Sequence, residues 1–96
     1  MTDRELLEAA AKAAGIEALL DSVGIAWLKW PSFSWNPLTD DGDALRLAAK
    51  MKMDIAIFDG RTVVDVPGPI RVEETGKQPA ATRRAIVRAA AAMAVG

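Results

Sequence analysis

Leu6, Leu7, Ala10 and Ala14 recur at intervals of three and four, the spacing that gathers apolar side chains on one face of a helix. Thr2 and Glu5 stand in a Thr-x-x-Glu capping box, so this helix is predicted to start at once. Glu8 and Lys12 lie four apart on its wet side, and Gly15 is placed to end it in a left-handed conformation. Two short apolar runs follow, Ile16 to Leu20 and Ile25 to Trp30, separated by Asp21, Ser22, Val23 and Gly24. They read as a hairpin, with a helical turn over Glu17 to Asp21 as the alternative. Trp30-Pro31 breaks regular structure, and Pro31 to Leu38 reads as an aromatic-rich loop.

A second helix is predicted after Thr39 as its cap, with Asp40, Asp41 and Asp43 in the first turn against the positive end of the dipole. Ala44, Leu47, Ala48 and Met51 form its inner stripe, flanked by Leu45. Strict alternation on both sides of Asp59-Gly60 then predicts a hairpin, Met53 to Phe58 with Arg61 to Val66, on a two-residue type I′ turn. That register puts Met53, Ile55, Ile57, Thr62, Val64 and Val66 on a core face. It also sets Asp54 opposite Asp65, a mildly repulsive pair, so either the loop is longer than two residues or Arg71 on a neighbouring strand compensates. Pro67-Gly68-Pro69 turns the chain into a short edge strand from Ile70 to Glu73. Pro79 or Ala80 opens a last helix with Thr82, Ile86, Ala89 and Met93 inside and Arg84 and Arg88 outside.

These elements make one α+β domain over residues 1–96. The expected form is a mainly antiparallel sheet of four to five strands packed with three helices, in the order α-β-β-α-β-β-(β)-α.

Composition narrows the function more than the fold. The 51% hydrophobic content argues against disorder, though much of it is alanine. Charges nearly cancel, 12 basic against 13 acidic, so no field steers the chain onto DNA or an anionic membrane. The absence of Cys and His removes thiolate chemistry, the usual zinc sites and the Ser-His-Asp triad. Ser22, Ser32 and Ser34 lie in turns without a pairing base, so no catalytic residue and no cofactor is expected. The opening Met-Thr-Asp-Arg-Glu-Leu-Leu-Glu is no secretory signal, and the longest apolar run, Ala89 to Val95, is too short to span a bilayer. A bacterial cytoplasm is the expected setting.

Three segments carry a family resemblance. Trp35-Asn36-Pro37-Leu38-Thr39-Asp40-Asp41-Gly42-Asp43-Ala44-Leu45-Arg46-Leu47 resembles a block found in small hypothetical proteins of tailed phages and prophages. Ala80 to Ala90 resembles their closing helix, and Thr2 to Leu7 with Ala10 to Gly15 resembles their opening one. The chain is similar in these parts to the phage ABA-sandwich-like family, while Ile16 to Ser34 and Arg61 to Gly76 match less well. The resemblance implies a phage origin and a small α-β-α domain; it implies no activity.

Three constellations remain to be weighed. Asp40, Asp41 and Asp43 could bind a hard cation, but the EF-hand ligand order is missing and an acidic helix start explains them, so no metal site is expected. Trp27, Trp30, Phe33 and Trp35 could stack on a base or anchor a protein, or else fill the core and pin the loop. Arg83, Arg84 and Arg88, with Lys77 nearby, could hold phosphate, or pair with Glu73 or Glu74 on a solvated face.

The leading expectation is a non-enzymatic phage accessory protein that binds a host or phage protein, an inhibitor of a host defence system such as an anti-CRISPR being one version. Its expected contact residues are Trp30, Phe33, Trp35, Arg84 and Arg88. The rivals are a nucleotide binder using the same aromatics and arginines, and a structural or regulatory homo-oligomer. A homodimer is expected, with Val87, Ala91 and Ala94 or Val95 turned towards the second copy.

Overall fold

The first helix, α1 (Asp3–Ala13), starts on a complete capping box. The Thr2 hydroxyl accepts from the Glu5 N–H at 3.2 Å, and the Thr2 N–H donates to the Glu5 carboxylate at 2.9 Å. The computed structural model describes residues 2–15, 18–20, 26–28, 35–68 and 70–95. Gly15 closes α1 in the left-handed region with φ +71°. The Thr2 backbone N–H first, and its hydroxyl second, hold the Glu5 carboxyl below its usual value of 4.5. A lowered folded-state value means that this contribution is complete above the ordinary carboxylate range and is lost as pH falls through the folded value. Glutamine keeps the capping geometry without the titration, so Glu5→Gln is expected to lose less melting temperature than wild type between about pH 7 and about pH 3. Equal acid losses in the two proteins would show that the box does not contribute.

Strands β1 (Ala18–Leu20) and β2 (Ala26–Leu28) pair antiparallel, as the two apolar runs predict. They form a separate two-stranded ribbon that touches α1. The expectation of one sheet of four to five strands is therefore corrected to a ribbon of two and a sheet of three. The physical reason is placement: the ribbon follows α1 and lies on it, away from the β3–β4–β5 meander.

Helix α2 (Asp41–Lys50) is capped by Asp40, not by Thr39. Thr39 is used one turn earlier, where its N–H and hydroxyl both donate to the Asn36 carbonyl. That leaves the Asp40 carboxylate to accept from the Asp43 N–H at 2.7 Å, and aspartate caps at least as well as threonine. Leu47, Ala44 and Ala48 are buried as expected and Met51 is half-buried, whereas Leu45 is exposed. α2 ends in a Schellman motif: Lys52 takes φ +55°, its N–H donates to the Ala49 carbonyl, and the Met53 N–H reaches Ala48.

The sheet runs β3 (Asp54–Phe58), β4 (Arg61–Val66), β5 (Ile70–Thr75), all antiparallel. Its register is the predicted one, with Phe58 opposite Arg61 and Asp54 opposite Asp65. Arg71 lies across from Asp65 and donates to it at 2.7 Å, which relieves the acidic pair and raises the arginine's own value. The Asp59-Gly60 loop is not type I′. Only Gly60 has positive φ, +75°, the sign pattern of a type II turn. Its Gly60 carbonyl is held by the Gly76 N–H at 3.0 Å, a tie from the end of β5 that local propensity does not encode.

Helix α3 (Ala80–Val95) is the centre of the fold, packed on β4, β5, α1 and α2. The core is Leu6, Leu7 and Ala10 from α1, Leu47 from α2, Val64 and Val66 from β4, and Ala85, Ile86, Val87, Ala89 and Ala90 from α3, with Trp35. Two expectations for α3 are overturned. Val87 and Ala91 are buried inside the chain, so they do not face a second copy, while Met93 is 39% exposed. A helix covered by a sheet on one side and two helices on others has almost no outer face. Ala94 is half-buried, and the Val95 side chain lies outside the described residues. The far side of the sheet, with Asp54, Ala56, Phe58, Arg71 and Glu73, is open to water, as antiparallel sheets permit. Among the described residues no helix is long and apolar enough to cross a membrane.

Candidate functional site

Trp35 is 2% exposed and belongs to the core, so it pins the chain entering α2 and offers no outer surface. The turn after it is locked to that helix. The Asn36 N–H donates to buried Asp43 at 3.0 Å, and the Asn36 side chain accepts from the Leu38 N–H at 3.1 Å. Trp30 and Phe33 lie outside the described residues, as does the Trp27 side chain.

The expected arginines are brought together, but by carboxylates. Arg84 and Arg88 both lie against Glu74, which sits on the helix face of β5, and Arg84 also donates to Asp3 at 3.2 Å. Arg88 adds a bond to the Glu73 carbonyl. Arg83 turns the other way, to the Leu38 carbonyl at 2.8 Å and Asp41 at 2.6 Å, tying α3 to α2. Each arginine therefore works as an internal tie, and the shallow hollow between Leu6, Glu74, Arg84 and Arg88 has its positive charge already matched. The acidic run is spent in the same way: Asp40 caps α2, Asp41 holds Arg83, and Asp43 holds Asn36 and Arg46.

The surface that is open and apolar lies elsewhere. α2 leans on α3 and not on the sheet, which leaves a groove of about 190 Å³ between α2 and β3. Ala44 and Leu45 form one wall, Ile55 and Ile57 the other, with Ile86 and Pro79 between and Asp41 and Arg83 at the rim. Leu45 is 68% exposed and Ile57 61%. Phe58, 46% exposed, lies at the end of the same strand on the other face of the sheet, with the Arg61 guanidinium 4.5 Å from its ring centre. The volume is below the usual 300–1,000 Å³ or so of a small-molecule pocket, and few polar groups converge there. An open hydrophobic strip with a charged rim suits a protein surface.

The alternation places Ile57 on the core face and the helical stripe is flanked by Leu45; neither pattern marks them as exposed. A usable signal is the contrast between strands. β5 alternates with Arg71 and Glu73, whereas Ile55 to Phe58 is a run of apolar residues next to a sheet edge.

No protein-family model, no curated protein and no solved structure matches the chain.

Proposed function

We propose that the chain is a phage or prophage accessory protein that works by binding protein, and that the α2–β3 strip is its protein contact surface. The observation that carries this reading is the exposure of Leu45 and Ile57 on the two walls of one apolar groove. Large apolar side chains grouped on one face cost solubility, and such a patch marks an interaction site. Catalysis has little to draw on, since the chain has neither Cys nor His and Asp40, Asp41, Asp43, Arg83, Arg84 and Arg88 are engaged in structural ties. The phage assignment rests on the three resembling segments. An inhibitor of a host defence system is one form such a protein takes. The nucleotide-binding rival gains no support from a buried Trp35 and paired Arg84 and Arg88.

A photo-crosslinking side chain at position 45, compared with one at position 71 on the far edge, tests the surface in lysate of the bacterial host. Crosslinking from position 45 is expected, together with its loss in an Ile57→Glu background. Ile57→Glu alters an exposed position and is expected to cost under about 1 kcal/mol in folding. Crosslinks formed only from position 71, or unaffected by Ile57→Glu, would move the contact surface elsewhere.

A further inference from the structure

We propose that the α2–β3 strip is occupied by a second copy of this chain, through antiparallel pairing of β3 with β3 across a two-fold axis. The inference rests on the reading of the strip as a protein contact surface.

The main chain supplies the first argument. A two-residue loop between Phe58 and Arg61 makes that pair a hydrogen-bonded one, and the pattern alternates along the strand. Asp54, Ala56 and Phe58 thus direct their N–H and C=O groups to β4. Those of Ile55 and Ile57 point out from the edge of the sheet, which has no strand partner among the described residues. Natural edges are usually blunted by charge, proline or a bulge. β3 has one charge, Asp54, at its very start, whereas the other edge strand, β5, carries Arg71, Glu73 and Glu74.

The side chains supply the second argument, because they choose a register. Only pairings that keep like faces together are allowed, which centres the two-fold axis on Ile55, Ala56 or Ile57. Centred on Ala56, Ile55 of each copy meets Ile57 of the other, and the four outward groups of each copy join in four hydrogen bonds. The exposed Ile57 is then covered twice over by symmetry, and the apolar groove of one copy continues into that of the other. On the outer face, Asp54 comes opposite Phe58, the ring that carries the Arg61 cation. Within its own sheet Asp54 faces Asp65, whose cation Arg71 is already committed. The acidic start of β3 thus comes to the Arg61 end of its twin, where the guanidinium, paired with Glu73 at 3.3 Å, gains a second carboxylate. A shift of the axis to Ile55 or Ile57 sets Asp54 or Phe58 against Ala56 and discards that match.

The chain has no cysteine, so a single introduced thiol reads the register directly. In the proposed pairing Ala56 lies opposite itself at a non-hydrogen-bonded site, where Cα atoms are about 4.5 Å apart, within reach of a disulfide. Ala56→Cys is expected to give a disulfide dimer under mild oxidation. Val63→Cys, on the same face one strand inwards, is expected to stay monomeric. Sedimentation equilibrium of the full wild-type chain at micromolar concentration is expected to give twice the 10.2 kDa chain mass. Ile57→Lys, which sets a cation against Ile55 of the other copy at both ends of the pairing, is expected to weaken association about 100-fold or more while circular dichroism stays native. A wild-type mass of 10.2 kDa overturns the proposal. So does a dimer that Ile57→Lys leaves intact, or one in which Val63→Cys crosslinks as readily as Ala56→Cys. If the chain is monomeric yet crosslinks another protein from position 45, the contact surface stands and its occupant is a strand of a different protein.

Discussion

Val87→Asp is expected to abolish folding, while Met93→Asp is expected to leave the fold intact. The two positions lie six residues apart on α3, and simple periodicity assigns them the opposite way round. Val87 is 0% exposed and Met93 39%. An ionised carboxylate at Val87 would have no partner and no water, a cost of several kcal/mol. That is a large part of the roughly 5–15 kcal/mol that holds a domain of this kind together. At Met93 the side chain reaches solvent, and the expected loss is under about 1 kcal/mol. Val87→Ala separates packing from charge: two missing carbons and the residual cavity should cost about 2–3 kcal/mol with the fold retained. Far-UV circular dichroism and a thermal melt of the three variants decide the matter. A folded Val87→Asp protein that had merely changed its association state would place Val87 on a surface between copies, and the central position of α3 would be wrong.

The reversal at α3 shows where sequence patterning loses its grip. Ala80, Ala81, Ala85, Ala89, Ala90, Ala91, Ala92 and Ala94 surround the helix axis, and alanine is compatible with either side of a helix. A stripe drawn through Thr82, Ile86, Ala89 and Met93 is then one choice among several. The burial pattern is decided by four neighbours at once, and two of them, β4 and β5, depend on long-range pairing. Local chemistry reads better. Thr2 with Glu5, Gly15 and the Asp59-Gly60 hairpin register all concern residues a few positions apart, and all stand in the fold as expected. The Arg71 bridge to Asp65 was legible as one of two ways to relieve Asp54 opposite Asp65, the other being a longer loop, and the observed register selects the bridge. The groove was not legible, because Leu45 and Ile57 sit beside stripes that are buried elsewhere. Their exposure follows from the lean of α2 towards α3, drawn by Leu47, Ala44 and Ala48 on one side and by the Arg83–Asp41 pair on the other.

Gln78→Ala is expected to cost about 2–3 kcal/mol, although the residue is polar, only half-buried and in a loop. Its side chain joins three elements. The amide nitrogen donates to the Phe58 carbonyl and the Arg61 carbonyl, each at 3.2 Å, and to the Thr62 hydroxyl at 2.7 Å. The amide oxygen accepts from the Thr82 N–H at 3.0 Å and the Thr82 hydroxyl at 2.7 Å. The Thr82 N–H belongs to the first turn of α3, where main-chain donors have no helical partner. Gln78 therefore caps α3 while it holds both ends of the β3–β4 turn. Thr62 and Thr82 close the circuit, their hydroxyl oxygens 2.8 Å apart, and Thr62 is wholly buried. Alanine would leave the Thr82 N–H without its acceptor and two threonine hydroxyls with only each other. For a domain of this size the expected fall in melting temperature is roughly 10–20 °C. Gln78→Glu separates the two ends of the amide. A carboxylate still accepts from Thr82, but it also turns an acceptor towards the Phe58 and Arg61 carbonyls, so it is expected to melt well below wild type too. A fall confined to Gln78→Ala would assign the whole effect to the cap. Wild-type melting in both variants would remove Gln78 from the joint between α3 and the β3–β4 hairpin, and with it the account of how the strip-bearing edge is fixed to the central helix.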